Sequence, residues 1–362
     1  MPEWNPLLDP PAFPPHGYAG IADRLARLLQ TKNDVLLVQG EAIIALEATA
    51  TSLSRPGRRA VNVVTSPYGR WFGEWLRRGG AEVVDVVAEA GKPISPEAVE
   101  SAIAAARTDI VALVHAESAT GILNPLTEIA ALARAGNAVL VVDAVASFGG
   151  HPLDVDALSA GIVVVGPQKS VGGSAGTSAL SVSPAAWALI EAPAAPAPST
   201  LSLLELKRGW IDTGRGVLPG MPSALEFFSL AAALDRIEAE GLDTVIARHT
   251  RAGEATRAAI EALGLPLWVP AAGASNLVTA GPMPPGVSAA DLVGHVDAFD
   301  AAIAPGVGEA GQRLVRLNHT GPRANFSTVL ANVAAYAHGL AAVGHAGDTG
   351  AALEAVIARY AG

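Results

Sequence analysis

Ala138-Val139-Leu140-Val141-Val142-Asp143, and then Gly161-Ile162-Val163-Val164-Val165-Gly166-Pro167-Gln168-Lys169, decide how this chain is read. Each run is apolar and rich in β-branched residues, and each ends on polar or charged groups. A strand with one solvated face alternates in polarity. One that is apolar throughout is covered on both faces, as in a parallel sheet flanked by helices. Five further runs read as strands: Val35–Val38, Ala60–Val64, Glu82–Val87, Ile110–Val114 and Ser178–Val182. Helix-length amphipathic stretches lie between most of them, among them Ala42–Leu53, Gly73–Arg78, Pro96–Ala106 and Pro125–Ala135. The alternation predicts an α/β domain built on a seven-stranded, mostly parallel sheet.

The composition changes after Val182. Ala192–Pro198 reads APAAPAP and is expected to be an extended linker. Beyond it, helices are expected at Ala224–Gly241, Thr244–Leu263, Ala289–Phe299 and Phe326–Val343, and strands at Asn276–Ala280 and Ala301–Ala304. This pattern predicts a smaller α+β domain at the carboxy end. The expected division is a large domain over residues 20–240 and a small one over 241–362, with residues 1–19 packing near the latter.

The bulk numbers narrow the function. Of 362 residues, 50% are hydrophobic and 16% charged, which excludes global disorder. Lys and Arg total 24 against 34 Asp and Glu, a net charge of −10 with no basic run, so nucleic acid is not an expected partner. Cysteine is absent, which excludes disulfides, thiolate zinc sites, thiol nucleophiles and persulfide carriers. The eight histidines are scattered without H-E-x-x-H spacing, and no metal site is expected. Met1-Pro2-Glu3-Trp4 has no basic or apolar leader character, and no apolar run approaches the roughly 18 residues of a membrane span. The expectation is a soluble, cytoplasmic protein with no membrane partner.

In an open α/β sheet, ligands gather at the carboxyl ends of the strands. Polar residues fall there after four of them: Gln39-Gly40-Glu41 after Val38, then His115, Glu117, Ser118 and Thr120 after Val114, then Asp143 after Val142, and Gln168-Lys169-Ser170 after Val165. Only four lysines exist, and Lys169 alone follows an all-apolar strand. A desolvated lysine has a lowered pKa and forms Schiff bases; one that snorkels to solvent does not. A buried aspartate at the end of the neighbouring strand needs a cation, and a pyridinium nitrogen is one; a turn or N-cap aspartate needs none. Together, Asp143 and Lys169 point to a pyridoxal site.

These residues resemble class V aminotransferases of the fold-type I pyridoxal-phosphate superfamily. Asp143-Ala144-Val145-Ala146-Ser147-Phe148-Gly149-Gly150 with Gly166-Pro167-Gln168-Lys169 carries the resemblance. So do His115-Ala116-Glu117-Ser118-Ala119-Thr120-Gly121, Pro67-Tyr68-Gly69-Arg70-Trp71-Phe72-Gly73 and Leu314-Val315-Arg316-Leu317-Asn318-His319-Thr320-Gly321. Order and spacing agree from about residue 30 to about residue 340, and the branch is that of alanine–glyoxylate and pyridoxamine–pyruvate aminotransferases. The resemblance implies transfer of an amino group between a small amino donor and a small 2-oxo acid such as pyruvate or glyoxylate. It implies Lys169 as aldimine former and proton shuttle, Asp143 on the pyridine nitrogen, and Arg316 on the substrate carboxylate. Tyr68 and Val145 would hold the two ring faces, and Ser118 would sit near the ring hydroxyl. Gly40, Glu41, Ala42, Gln168 and, from a partner copy, Met221 would surround the phosphate. A homodimer with shared active sites is implied.

Some positions depart from the family pattern. Where relatives carry a small hydroxyl-bearing turn for the phosphate, this chain has Gln39-Gly40-Glu41-Ala42. Where a partner subunit supplies Tyr and Thr, Leu218 and Met221 precede Pro222. Val307 stands where a second cation is expected. Two readings of the turn stay open. Either pyridoxal phosphate binds through Gln168 and backbone amides, or an unphosphorylated pyridoxal or pyridoxamine binds as a substrate with Glu41 on its hydroxymethyl group. The amino end lacks the family's G-P-x-P-V segment, from which a more open pocket is expected. A degenerate homologue that binds pyridoxal without catalysis is a further alternative. Gly172-Gly173-Ser174-Ala175-Gly176 fits the G-x-S-x-G hydrolase pattern, but a strand rather than a helix is expected after it.

Overall fold

The computed structural model describes residues 10–192, 199–308 and 313–361. The amino-terminal segment 1–9 and all but the first residue of the expected APAAPAP linker lie outside the described residues. The first part of the chain runs α1 (Pro15–Leu28), β1 (Asp34–Val38), α2 (Ala42–Leu53), β2 (Arg59–Val64), α3 (Pro67–Arg78), β3 (Glu82–Val87), α4 (Pro96–Ala104), β4 (Ile110–Val114), α5 (Leu126–Ala135) and β5 (Val139–Asp143). It continues through α6 (Val155–Leu158), β6 (Ile162–Val165), β7 (Ser178–Val182), α7 (Pro184–Glu191), α8 (Leu203–Leu206) and the long α9 (Ala224–Glu240). Three helices start on a Ser-Pro pair: Ser66, Ser95 and Ser183 each accept a backbone N–H of the first turn, while the following proline needs no donor.

The seven strands form one sheet in the order β1-β7-β6-β5-β4-β2-β3. All pairs are parallel except those of β7, which runs antiparallel to both β1 and β6. The chain turns back into β7 through the Gly172–Gly176 bend, so Ser174 leads into a strand and is no hydrolase elbow. Its hydroxyl donates to Glu226. Strands β2, β4, β6 and β7 are buried along their whole length, as their apolar runs require.

The second part holds α10 (Leu242–Ala262), β8 (Val278–Pro282), α11 (Ala289–Gly294), β9 (Ile303–Pro305), β10 (Leu314–Asn318), α12 (Phe326–Ala342) and α13 (Thr349–Ala361). A three-stranded antiparallel sheet, β8-β10-β9, packs with the helices around a second core centred on Val315, Leu317, Val333 and Tyr336. Here the sequence expectations need correction. The helix expected over 289–299 ends at Gly294, and the strands expected at 276–280 and 301–304 begin two residues later. The neighbourhood expected for residues 1–19 also differs where it is described. Phe13 packs on Phe227 and Phe228 of α9, and Tyr18 joins the first core.

Between the two cores lies a narrow join. The turn after β4 bridges to the segment before β8: Leu123 N–H donates to Gly273 O at 2.8 Å and Ser275 N–H to Gly121 O at 2.7 Å. Gly121 has φ +78°, and a Cβ there would lie 2.6 Å from the Val278 carbonyl oxygen. Side chains are disfavoured at this φ by roughly 1–2 kcal/mol, and a backbone oxygen cannot swing aside. Gly121→Ala is expected to destabilise the protein by about 2 kcal/mol or more, read as a lowered urea midpoint. An unchanged midpoint would show that the two sheets are not held at this point.

Candidate active site

The carboxyl edge of the large sheet carries the residues singled out by sequence. Because β4, β5 and β6 are neighbours, Asp143 at the end of β5 is flanked by the turn after β4 and by the Lys169 turn after β6. His115 N–H donates to the Asp143 carbonyl and Ala144 N–H to Val164 O, both at 2.9 Å, so the strand pairing continues up to the site. Asp143 Oδ1 accepts the Val145 N–H at 3.0 Å. Its carboxyl has no ion pair at salt-bridge distance among the described residues. Burial pushes its pKa up to about 6; the Val145 bond opposes this, Glu41 adds to it and Lys169 opposes it. Lys169 is lowered, first by burial and then by the Arg316 charge, while Glu41 and Asp143 pull the other way.

Two cavities meet at Lys169. One, of about 310 Å³, is lined by Glu41, Tyr68, Glu117, Ser118, Asp143 and Lys169, with Ala42, Val145 and Trp71 completing its walls. The other, of about 420 Å³, is lined by Ser118, Gln168, Lys169, Arg316, Asn318 and Arg323 among others. Arg316 arrives from the small sheet by strand alternation. Val315 and Leu317 enter the second core, so Arg316 and Asn318 face the other way. The Arg316 guanidinium donates to Pro305 O at 3.0 Å through Nε and to Ser118 O at 3.5 Å through Nη1.

Gly321 sets how close the small sheet comes. Its φ is +63°, and a Cβ there would lie 2.7 Å from Lys169 O. Its N–H donates to His249 Nε2 at 2.8 Å, while His249 Nδ1 meets Val245 O at 2.7 Å. A carbonyl only accepts, so Nδ1 carries the proton and Nε2 is free to accept.

Of the residues expected at the site, Glu41, Ala42, Tyr68, Ser118, Asp143, Val145 and Lys169 line the first cavity, and Gln168 and Arg316 line the second. Gly40 and Met221 line neither. Met221 is 96% exposed, and Leu218 is buried in the large core. Glu117, Trp71 and Arg323 line the cavities without an expected role: Glu117 stands among the strand-end polar groups and Trp71 in a block of the family resemblance, while Arg323 carries no sequence signal. Glu117 is buried, accepts Thr65 Oγ1–H at 2.5 Å and has an Oε2 with no partner. Burial pushes it up to about 7, against the Ser66 and Thr65 hydrogen bonds and with help from Asp143. Its place just beyond an all-apolar strand was the available signal.

Glu41 neither points away nor leaves the start of α2 open. Its Oε2 accepts the Ile43 N–H at 2.8 Å, and its Oε1 accepts from Gln168 Nε2. A helix N-terminus favours anions, and here a carboxylate of the chain itself holds that place.

The class-V aminotransferase family model matches residues 16–318. This chain belongs to the class-V aminotransferase family. It is 32% identical over 345 residues to the pyridoxamine–pyruvate transaminase of Mesorhizobium japonicum, covering 94% of this chain and 87% of that protein. It is 28% identical over 318 residues to the alanine–glyoxylate aminotransferase of Callithrix jacchus, covering 85% and 76%. The solved structure of pyridoxamine-pyruvate aminotransferase from Mesorhizobium loti superposes with a TM-score of 0.90 at 31% identity, over 96% of this chain and 89% of that one. The protein is thus an aminotransferase of fold type I.

Its site predicts an acid limit. Burial lowers His115 and His249 to about 4 and His151 and His319 to about 3. A histidine kept neutral by the fold contributes stability that is full above its unfolded value near 6.5 and is lost as pH falls towards the folded value. For His115 alone the loss is on the order of 3 kcal/mol. Glu117 and Asp143, raised to about 7 and 6, act in the opposite sense over the same range. Four histidines outweigh two carboxyls. Stability measured by urea unfolding is expected to fall from pH 6.5 to pH 4, and a flat profile would contradict the burial of these rings.

Proposed function

We propose that this aminotransferase moves an amino group between a small amino donor and a small 2-oxo acid, pyruvate or glyoxylate, at Lys169. The observation that carries this is the position of Lys169 on the wall shared by two cavities, one closed by Asp143 and the other carrying Arg316.

A pyridoxal ring fits the first cavity. Asp143 there is a buried carboxyl without an ion pair among the described residues, so a protonated ring nitrogen would complete it. Tyr68 and Val145 would hold the ring faces, and Ser118 the ring hydroxyl. Bound there, pyridoxal supplies the carbonyl that takes up the amino group and an electron sink for the adjacent carbon. The rest falls to the chain. A lysine whose amine is held towards the neutral form takes the proton from the donor Cα and returns it to the acceptor carbon. Arg316 grips the carboxylate, and its tethers to Pro305 and Ser118 fix the plane of the guanidinium. Asp143 holds the proton on the ring nitrogen.

The phosphate end favours a second reading, in which an unphosphorylated pyridoxal or pyridoxamine is itself a substrate, with pyruvate as its partner. The anion site at the start of α2 is held by Glu41. A phosphate dianion would meet a carboxylate there, whereas a hydroxymethyl group would donate to it.

A homodimer with shared active sites belongs to the proposal, with Met221 at its interface. The exposed side chains Met221, Leu225, Phe228, Trp71 and Ile44 support it. The division into domains 20–240 and 241–362 belongs to the proposal as well, and two separate cores support it.

Lys169→Ala is expected to abolish the absorbance band of bound pyridoxal and to lower turnover by about 10³-fold; Asp143→Ala should lower it roughly 10²-fold. Transamination at the wild-type rate by either variant would sink the mechanism. For the vitamer, absorbance titration should give tighter binding of pyridoxal than of pyridoxal phosphate. Glu41→Ala should shift that ratio towards the phosphate ester by about tenfold or more, the change expected from some 1.4 kcal/mol of relieved repulsion. Preference for the phosphate ester in the wild type, unchanged in Glu41→Ala, would leave only the ordinary cofactor reading.

A further inference from the structure

We propose that the cavity beyond Lys169, besides pyruvate or glyoxylate, also admits a short 2-oxo acid with a second, distal carboxylate, and that Arg323 is the residue that recognises that second group. The role of this cavity as the 2-oxo acid pocket rests on the amino-transfer reading above.

The walls of this 420 Å³ space carry two guanidinium cations, Arg316 and Arg323, beside Lys169, and no carboxylate. Pyruvate and glyoxylate each present a single carboxylate, which Arg316 engages. Nε and Nη1 of Arg316 are tethered to backbone carbonyls, which orients its remaining edge. The exposed Arg323 guanidinium forms no hydrogen bond or ion pair among the described residues, while its backbone N–H donates to Thr320 O at 3.3 Å. Arg323 differs from an ordinary surface arginine in how its backbone is fixed. It closes the short 3₁₀ turn Gly321–Arg323, and the first residue of that turn is pinned against Lys169 O and by His249. Arg248 Nη1 adds a hydrogen bond to the Gly321 carbonyl at 2.6 Å. The turn therefore presents Arg323 to the cavity from a rigid base, one turn beyond the strand that presents Arg316. Asn318 and Thr320 line the wall between them and offer neutral polar groups. The layout suits a short chain with an anionic group at each end, because each guanidinium can pair with a separate carboxylate.

The test is isothermal titration calorimetry on the full protein as purified, using unreactive acids. Succinate and glutarate are compared with butyrate and valerate, their single-carboxylate counterparts. At least one diacid is expected to bind about tenfold or more tighter than its monoacid, a 1.4 kcal/mol advantage. In Arg323→Gln the diacid-to-monoacid ratio should collapse to near one, while Arg323→Lys should keep part of it. Arg316→Gln should weaken both members of each pair. A wild-type ratio near one, or a ratio that survives Arg323→Gln, overturns the proposal. Binding is read without turnover, so failure of amino transfer in a separate assay would count against the amino-transfer reading alone.

Discussion

The structure depends on the close approach of a small antiparallel sheet to the loops at the carboxyl edge of a large parallel one. Two glycines set that distance. Gly121 meets the backbone of Val278, and Gly321 meets the backbone of Lys169. Both have positive φ, so the contact is made by backbone with no side chain between. Arg316 is carried on the strand paired with β8, and its hydrogen bond to Ser118 O spans the same join. If the sheets moved apart by the thickness of a methyl group, the second cavity would lose its cationic wall and Lys169 would lose part of its cover.

That cover governs the electrostatics. The first cavity gathers Glu41, Glu117 and Asp143 around one lysine, and burial pushes Asp143 and Glu117 towards their protonated forms. The chain's own groups satisfy this site poorly, and Glu117 Oε2 is left without a partner. A cationic ring nitrogen at Asp143 improves the balance. A phosphate dianion beside Glu41 worsens it. Under the proposed reading, the same acids that would suit the cavity to a pyridinium would bias it against a second anion at the start of α2.

Much of this was legible in the sequence, and the reasons divide by element. Six of the seven strands of the large sheet are buried or nearly so, and only the edge strand β3 is half-buried with exposed ends. Asp143, Lys169 and Ser118 stand at strand ends, where strand direction alone puts them on one edge. The small sheet was less legible. Strands β9 and β8 are short, with proline at their ends, and they are held by pairing with β10 more than by their own patterns. Gly40 was expected at the cavity and lines no part of it. Gly40 bends the chain into α2, and the side chain that follows, Glu41, does the reaching. Arg323 carried no signal because a cation after a Gly-Pro turn reads as surface. What makes it a wall residue is the pinning of Gly321 by His249, a contact between positions far apart in the chain.

The two cavities share Lys169 and Ser118 but draw their other residues from different parts of the chain. The ring side is built from strand ends of one sheet, where each residue is also a packing element. Asp143 cannot change without altering the β5 terminus, and Glu41 is the cap of α2 as well as a cavity wall. The acid side is built from a strand face and a turn, and Arg323 packs into neither core. A substitution at Arg323 therefore alters charge at the cavity without disturbing a helix cap or a strand end. Under the proposed reading, the choice of ring vitamer would be tied to the fold of the large sheet, while a second carboxylate on the 2-oxo acid would be read by Arg323, a side chain that packs into neither core.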